Sequence, residues 1–355
     1  MKKSFRYILL SLVILFGFNG QQTFAGNPDR SGQAGAAELL INPWAASSGW
    51  GNAGMASIHG VEAMFGNVAG ISKIQKFDLN FSHTSWLVGS EVRISSFGLL
   101  ARVGESSVLG LSVMSFSLGE IPLTTVENPD PGVNTYKPSL LNLNIAFAKT
   151  FSNSISGGFV LKIINEQIAN MGCNGVAIDA GIQYVSGPTD NIHFGITLKN
   201  IGPTMKFSGD GLSLKAFLAG YDSQITLVQR ADQFELPTQL NIAAGYDFNF
   251  ENESRFTLAG NFTSNSFTKD QITLGAEYSW REYLQLRAGY TYEQGIWSGI
   301  EEDENTNLSK GLSAGCSVQV PLTKNENGLV LGIDYSFRAT SHFNGTHSVG
   351  ARIIF

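Results

Sequence analysis

The chain has 355 residues, 43% hydrophobic and only 15% charged, below the quarter or so typical of soluble domains. Its 24 Phe and mean hydropathy of +0.02 exclude a disordered chain, and 40 Gly without a three-residue period, beside only 10 Pro, exclude collagen. A formal charge of −6 argues against a nucleic-acid partner, since such binders carry a basic surplus.

Residues 1–25 read as a signal peptide. Lys2, Lys3 and Arg6 form a basic start, Tyr7–Phe18 an apolar stretch, and Thr23-Phe24-Ala25 a small-x-small cleavage site. Removing them takes away three basic residues and no acidic one. The mature chain Gly26–Phe355 then has 330 residues, 20 basic against 29 acidic, and a net charge of −9. Beyond residue 25 no window offers the eighteen or so uninterrupted apolar residues of a membrane helix. An exported soluble globule remains, or a β-barrel whose strands are apolar on alternate residues.

Residues 26–76 show no alternation and read as a segment separate from the rest of the chain. Gly49, Gly51, Ala53, Gly54 and Ala56 let a backbone pass close to a wall. Trp44, Trp50, Met55, Met64 and Phe65 give it an apolar body, and Asn52 and Asn67 can satisfy local backbone groups.

From residue 77 the pattern has period two, the mark of strands with one apolar face. Leu329, Leu331, Ile333, Tyr335 and Phe337 alternate with Val330, Gly332, Asp334 and Ser336; Leu284, Leu286, Ala288, Tyr290 and Tyr292 alternate with Gln285, Arg287, Gly289 and Thr291. Each run is about ten residues, the length a tilted strand needs to cross a bilayer. The pattern predicts fourteen strands, at 77–86, 90–103, 107–121, 139–150, 154–169, 175–186, 191–200, 238–249, 254–264, 271–280, 283–293, 308–320, 327–338 and 346–355. Connections after even strands are short and those after odd strands are long. Outer-membrane barrels sort their periplasmic turns and extracellular loops in this way, whereas a soluble sandwich has no reason to. The expected fold is all-β: a fourteen-stranded antiparallel transmembrane barrel at 77–355, preceded by the segment 26–76 that breaks the alternation.

The chain closes on Ser348-Val349-Gly350-Ala351-Arg352-Ile353-Ile354-Phe355, with Val349, Ala351, Ile353 and Phe355 expected to face lipid. This ending resembles the signal by which the outer-membrane assembly machinery recognises its clients, and the resemblance assigns that role to Gly350, Ile353 and Phe355.

The stretches Ala45–Ala56 and Ala63–Ile71 are similar to the amino-terminal signature of the FadL-like long-chain fatty-acid transporter superfamily. There an AGMGxA-type run precedes an NPAGL box. They resemble more closely the PorV/PorQ branch found with the type IX secretion system of Bacteroidota. Val68 stands where the box has proline, and Gly66 where an aromatic is usual. The resemblance implies a fourteen-stranded barrel in the outer membrane of a Gram-negative bacterium. It places the amino-terminal segment in the barrel mouth from the periplasmic side, with Gly49, Gly51, Asn52, Gly54, Met55, Asn67 and Gly70 as plug residues. It further implies a non-enzymatic component that binds secretion machinery or exported cargo, or, alternatively, a transporter of hydrophobic small molecules. The expected surroundings are outer-membrane lipid and, during biogenesis, the assembly machinery.

Other motifs carry less. Gly49-x-Gly51-x-x-Gly54 matches a dinucleotide fingerprint but lacks the strand–turn–helix context that gives it meaning. His59, His83, His193, His342 and His347 fall in five separate elements, so neither a metal site nor a cofactor is expected. Cys173 and Cys316 are left open between free thiols and a pair. Asp179, Asp247, Glu277, Arg287, Asp334 and Arg352, with Lys162, Lys199, Glu293 and Arg338, fall on the polar phase of their strands. They can pair across strands and tie a plug in place. Residues 201–237 carry Phe217, Leu218 and Tyr221 in a polar context, the mark of a partner-binding loop. The Glu301–Glu304 acid run beside Trp297 reads as a solvated face.

Overall fold

The structure is a computed structural model and describes residues 30–124, 134–217, 223–251, 253–297, 307–322 and 328–355. The expected signal peptide, the Glu301–Glu304 run, Leu218 and Tyr221 lie outside these residues.

Fourteen antiparallel strands form a closed barrel, as the alternation predicts. They are β1 (Phe77–Ser85), β2 (Arg93–Arg102), β3 (Ser107–Ser117), β4 (Ser139–Thr150), β5 (Ile155–Ile168), β6 (Met171–Ser186) and β7 (Ile192–Ile201). The second half comprises β8 (Gln239–Asn249), β9 (Ser254–Asn265), β10 (Gln271–Trp280), β11 (Leu284–Glu293), β12 (Ser309–Pro321), β13 (Val330–Thr340) and β14 (Thr346–Ile354). Closure comes from β14 pairing with β1, Phe81 opposite Ala351 and Ser85 opposite His347. A one-residue slip in this pairing would turn every lipid-facing side chain inward. Alternation along β1 shows why the register is fixed: Phe81 is 50% exposed on the outer wall, while its neighbour Ser82 is fully buried inside.

Turns after even strands span 3 to 8 residues, while the loop between β7 and β8 spans 37. By the rule that periplasmic turns are short, the ends at Phe77 and Ile354 face the periplasm. Ala169 and Asn170 alone join β5 to β6 on the long-loop side, where a five-residue connection is expected from the sequence. The left-handed backbone of Ala169 (φ 48°) makes that tight reversal possible. One irregularity interrupts the ladder. Between β6 and β7 the register slips, so Lys199 and Asn200 are both buried, with Asn200 at φ 60°. An extra residue on one strand is a β-bulge, which bends the wall.

The amino-terminal segment fills the lumen. It is built from one helical turn, α1 (Ala45–Ser48), and 3-10 turns at Ala37–Leu40, Ala53–Ala56, Val61–Met64 and Val68–Lys73. α1 lies against β1 and β12–β14, residues 53–56 against β7–β10, residues 61–64 against β1–β3, and residues 68–73 against β3–β6. Trp50 sits on Gly289 of β11. The segment does not merely enter from the periplasm. At one end Arg30 pairs with Glu235 of the long extracellular loop and stacks on Phe267. At the other, the Arg102 guanidinium donates to the carbonyls of Ser72, Ile74 and Gln75 beside the periplasmic rim.

The inner wall is not polar throughout. Leu100, Val108, Ala146, Ala148 and Val160 form an apolar stripe on β2–β5, covered by Val61, Met64, Val68 and Ile71 of the segment. Burying such a stripe is the main attraction holding the segment in, at about 25 cal/mol per Å² of apolar surface.

Candidate functional site

Polar anchors hold the luminal segment to the wall. The Glu62 carboxylate accepts from the backbone amides of Ala46 (3.2 Å) and Ser47 (2.6 Å) and from Asn80 Nδ2 (3.4 Å). Asp78 of β1 accepts from Val61 N at 3.0 Å, and Gln183 Nε2 donates to Ile58 O at 2.9 Å. Asn67 does two jobs. Its Oδ1 accepts from Ala69 N at 3.2 Å, the local role expected for it, while its Nδ2 reaches Ile182 O of β6 at 2.9 Å. Asn52 Oδ1 accepts from Asn42 Nδ2 at 2.5 Å. Glu62, Asp78, Asn80 and Gln183 were not singled out from the sequence. A lone glutamate within a run of small and apolar residues was the signal available for Glu62.

Close approach explains the small residues. A Cβ on Gly49 would stand 2.8 Å from Gly315 Cα in β12, so the two backbones touch there. Gly51 takes φ 67°, left-handed, facing Thr291 and Ser313. Gly54 lies under the Trp50 ring, Gly70 against Ile58 O, and Met55 is buried with Ala56 and Ala243.

Asp179, Glu277, Asp334 and Arg352 are buried, and the charges on the polar phase of the strands pair chiefly with one another along the wall. Asp179 bridges Lys162 at 2.7 Å and accepts from Asn200 N; Asp247 accepts from Thr257 (2.6 Å) and meets His193 (2.9 Å). Glu277 lies between Arg287 (2.6 Å) and Arg255 (3.1 Å), and Asp334 meets Arg352 at 3.4 Å. Lys199 and Arg338 reach the segment: the Lys199 ammonium lies 3.6 Å from the centre of the Phe65 ring, and Arg338 donates to Asn42 O at 3.5 Å. Between segment and wall a cavity of about 200 Å³ is lined by Gly35, Ala37, Leu40, Gln239, Asn265 and Phe267, below the roughly 300 Å³ at which small-ligand pockets begin, and two others enclose about 20 and 60 Å³, space for water. The larger of these two is bordered by His59, Glu62, Glu277, Arg287 and Arg352. Among the described residues no group of three His, Cys, Asp or Glu is gathered for a metal, and Cys173 and Cys316 are free thiols.

The long extracellular loop has a packed base and an exposed tip. At the base Met205 and Leu236 are buried with Ala36, Leu39, Ile164 and Cys173, and the rings of Phe207 and Phe234 lie 5.8 Å apart. Gly172 and Ser208 exchange two backbone hydrogen bonds, fastening the loop to the start of β6. The tip is a two-stranded ribbon, Ser213–Phe217 paired with Gln224–Val228, within a stretch read from the sequence as irregular. Leu214 faces Leu227 and Ala216 faces Ile225, so one side of the ribbon is wholly apolar. Phe217 is 69% exposed and Val228 71%. A second short hairpin stands beyond β3, where Lys137 pairs with Glu120 at 2.7 Å and holds its carboxyl below the usual glutamate range. At the carboxy terminus Gly350 faces Ala45 of the segment, Ile353 and Phe355 face outward, and Lys76 lies over the Phe355 ring.

Comparison with known proteins accords with this architecture. The toluene transporter TodX of Pseudomonas putida is 14% identical, with a TM-score of 0.52 over 87% of this chain and 96% of that one. A FadL homologue of Pseudomonas aeruginosa is 12% identical, with a TM-score of 0.51 over 88% and 97%. At such identities the likeness is one of fold. No curated protein matches the chain. Residues 136–351 match the family described as type IX secretion system membrane protein PorP/SprF. The matched span starts after the Ala45–Ile71 signature, so it speaks for the barrel and not for the PorV/PorQ resemblance. Covering well over half of the sequence, it assigns the chain to the PorP/SprF family of outer-membrane barrels of type IX secretion.

Proposed function

We propose that this barrel is a non-enzymatic component of type IX secretion, PorV/PorQ-like in its role, that binds secretion machinery or exported cargo through the ribbon of its long extracellular loop. The observation that carries this reading is the apolar surface of that ribbon: Leu214 and Leu227 exposed on one side beside half-buried Ala216 and Ile225, and Phe217 and Val228 projecting from the other. Exposed apolar surface of this kind marks an interaction site, and each such side chain buried against a partner contributes about 1–3 kcal/mol. A lumen occupied from rim to rim supports a role at the surface over one as a conduit.

The competing reading is passage of hydrophobic small molecules, the activity named for the toluene transporter of similar fold. Tagged protein recovered from detergent-solubilised outer membrane separates the two. Phe217→Ser with Val228→Ser should lose co-purifying protein partners and leave uptake of hydrophobic solutes unchanged. Intact partner recovery in that variant, with uptake altered by deletion of residues 49–56, would favour the transporter.

A further inference from the structure

The outer wall carries a groove of about 600 Å³ across β4–β7, lined by Phe147, Phe151, Phe159, Ile182, Ile196 and Leu198. Its floor is low because two outward positions are small, Gly157 and Ala180. The bulge at Lys199 and Asn200 disturbs the wall at its far end, beside Ala180 and Leu198.

The groove follows one row of paired residues. Lys149 stands opposite Gly157, Gly157 opposite Ile182, and Ile182 opposite Ile196. Measured from the periplasmic strand ends at Thr150, Ile155, Ser186 and Ile192, these four lie one, two, four and four residues in. The row therefore climbs from the periplasmic rim toward the middle of the membrane. At its low end is the exposed Lys149, an outward-phase ammonium in an otherwise apolar lining. Lysine at such a depth extends its head to the polar interface and meets whatever anion lies there.

We propose that this groove is a binding site for one phospholipid of the periplasmic leaflet, its phosphate on Lys149 and an acyl chain lying over Gly157 and Ala180 between the phenylalanines. Two features select this occupant. The single cation sits at headgroup depth, where a lipid phosphate belongs, and the apolar path rises from it without another charged group among its lining residues. An apolar helix or an acylated protein would have no use for the ammonium.

The test titrates the purified full chain in detergent with dioleoyl phosphatidylglycerol and counts bound lipid by native mass spectrometry. The wild type should hold one lipid tightly. Gly157→Phe, which fills the groove, should weaken that binding about tenfold, and Lys149→Gln about threefold. The control Leu274→Phe, on a lipid-facing strand outside the groove, should change nothing. Dioleoylglycerol, which has no phosphate, should bind equally to the wild type and to Lys149→Gln. Equal phosphatidylglycerol binding by wild type, Gly157→Phe and Lys149→Gln would overturn the site, as would recovery of a polypeptide in place of the lipid. Lys149→Gln alters only an exposed side chain, so it remains informative if Gly157→Phe fails to fold.

Discussion

Glu62 shows how much one side chain decides here. Its carboxylate takes two backbone amides at the start of α1, donors that a helix leaves without an intrahelical acceptor. Glu62→Ala should cost about 1–3 kcal/mol, the usual penalty for orphaned buried donors. The loss should be confined to the luminal segment. Hydrogen exchange at Ala46 and Ser47 should quicken while the heat-modifiable gel mobility of the barrel stays as it was. On the outer wall the governing cost is different. Ile333 is 57% exposed on the lipid face of β13, and an arginine there costs about 2–4 kcal/mol near the midplane. Ile333→Arg should lower the yield of folded barrel in the outer membrane, whereas Ile333→Leu should not. The sequence pointed to Ile333 because lipid imposes period two. For Glu62 it offered only a charge among small and apolar residues, because its partners include Asn80 on the wall and its own segment has no period.

Among elements, the strands were legible and the short turns of the lumen were not. Lipid outside and polar groups inside force alternation on every strand, and the observed bounds follow it within a few residues. The luminal 3-10 turns are fixed by contact with distant strands, as where Asn67 bonds Ile182, 115 positions away. The ribbon at Ser213–Phe217 and Gln224–Val228 shows period two, but each arm is only five residues long, too short to stand out from a loop. Nothing covers Phe217 and Val228 among the described residues, so Phe217→Ser with Val228→Ser should leave barrel stability within about 0.5 kcal/mol of wild type. Thermal unfolding measures this, and it shows that any lost partner reflects the surface and not the fold. The last strand carries a separate expectation. Phe355 faces outward beneath Lys76, and deleting it should reduce outer-membrane abundance if the ending serves as an assembly signal. Unchanged abundance would remove that role.

For the molecule as a whole, the course of the amino-terminal segment from Glu235 at the extracellular loop to Phe355 at the periplasmic rim joins the two faces of the membrane through one chain. Family resemblance led to an entrance from the periplasm; the contacts of Arg30 with Glu235 and Phe267 carry the segment to the far side, a placement no local pattern encodes. Ser31→Cys should therefore react with a membrane-impermeant maleimide on intact cells, and Lys76→Cys only once the outer membrane is permeabilised. Cys173 is buried and Cys316 half-buried, so the background should be low. If the ribbon of the long loop meets a protein at the cell surface, a photo-crosslinking residue in place of Phe217, illuminated in living cells, should capture it. A discrete adduct joining the barrel to another protein is expected, absent when the same residue replaces the lipid-facing Leu274. Illumination at position 217 that yields only uncrosslinked barrel, in cells where secretion is active, would contradict the proposed contact.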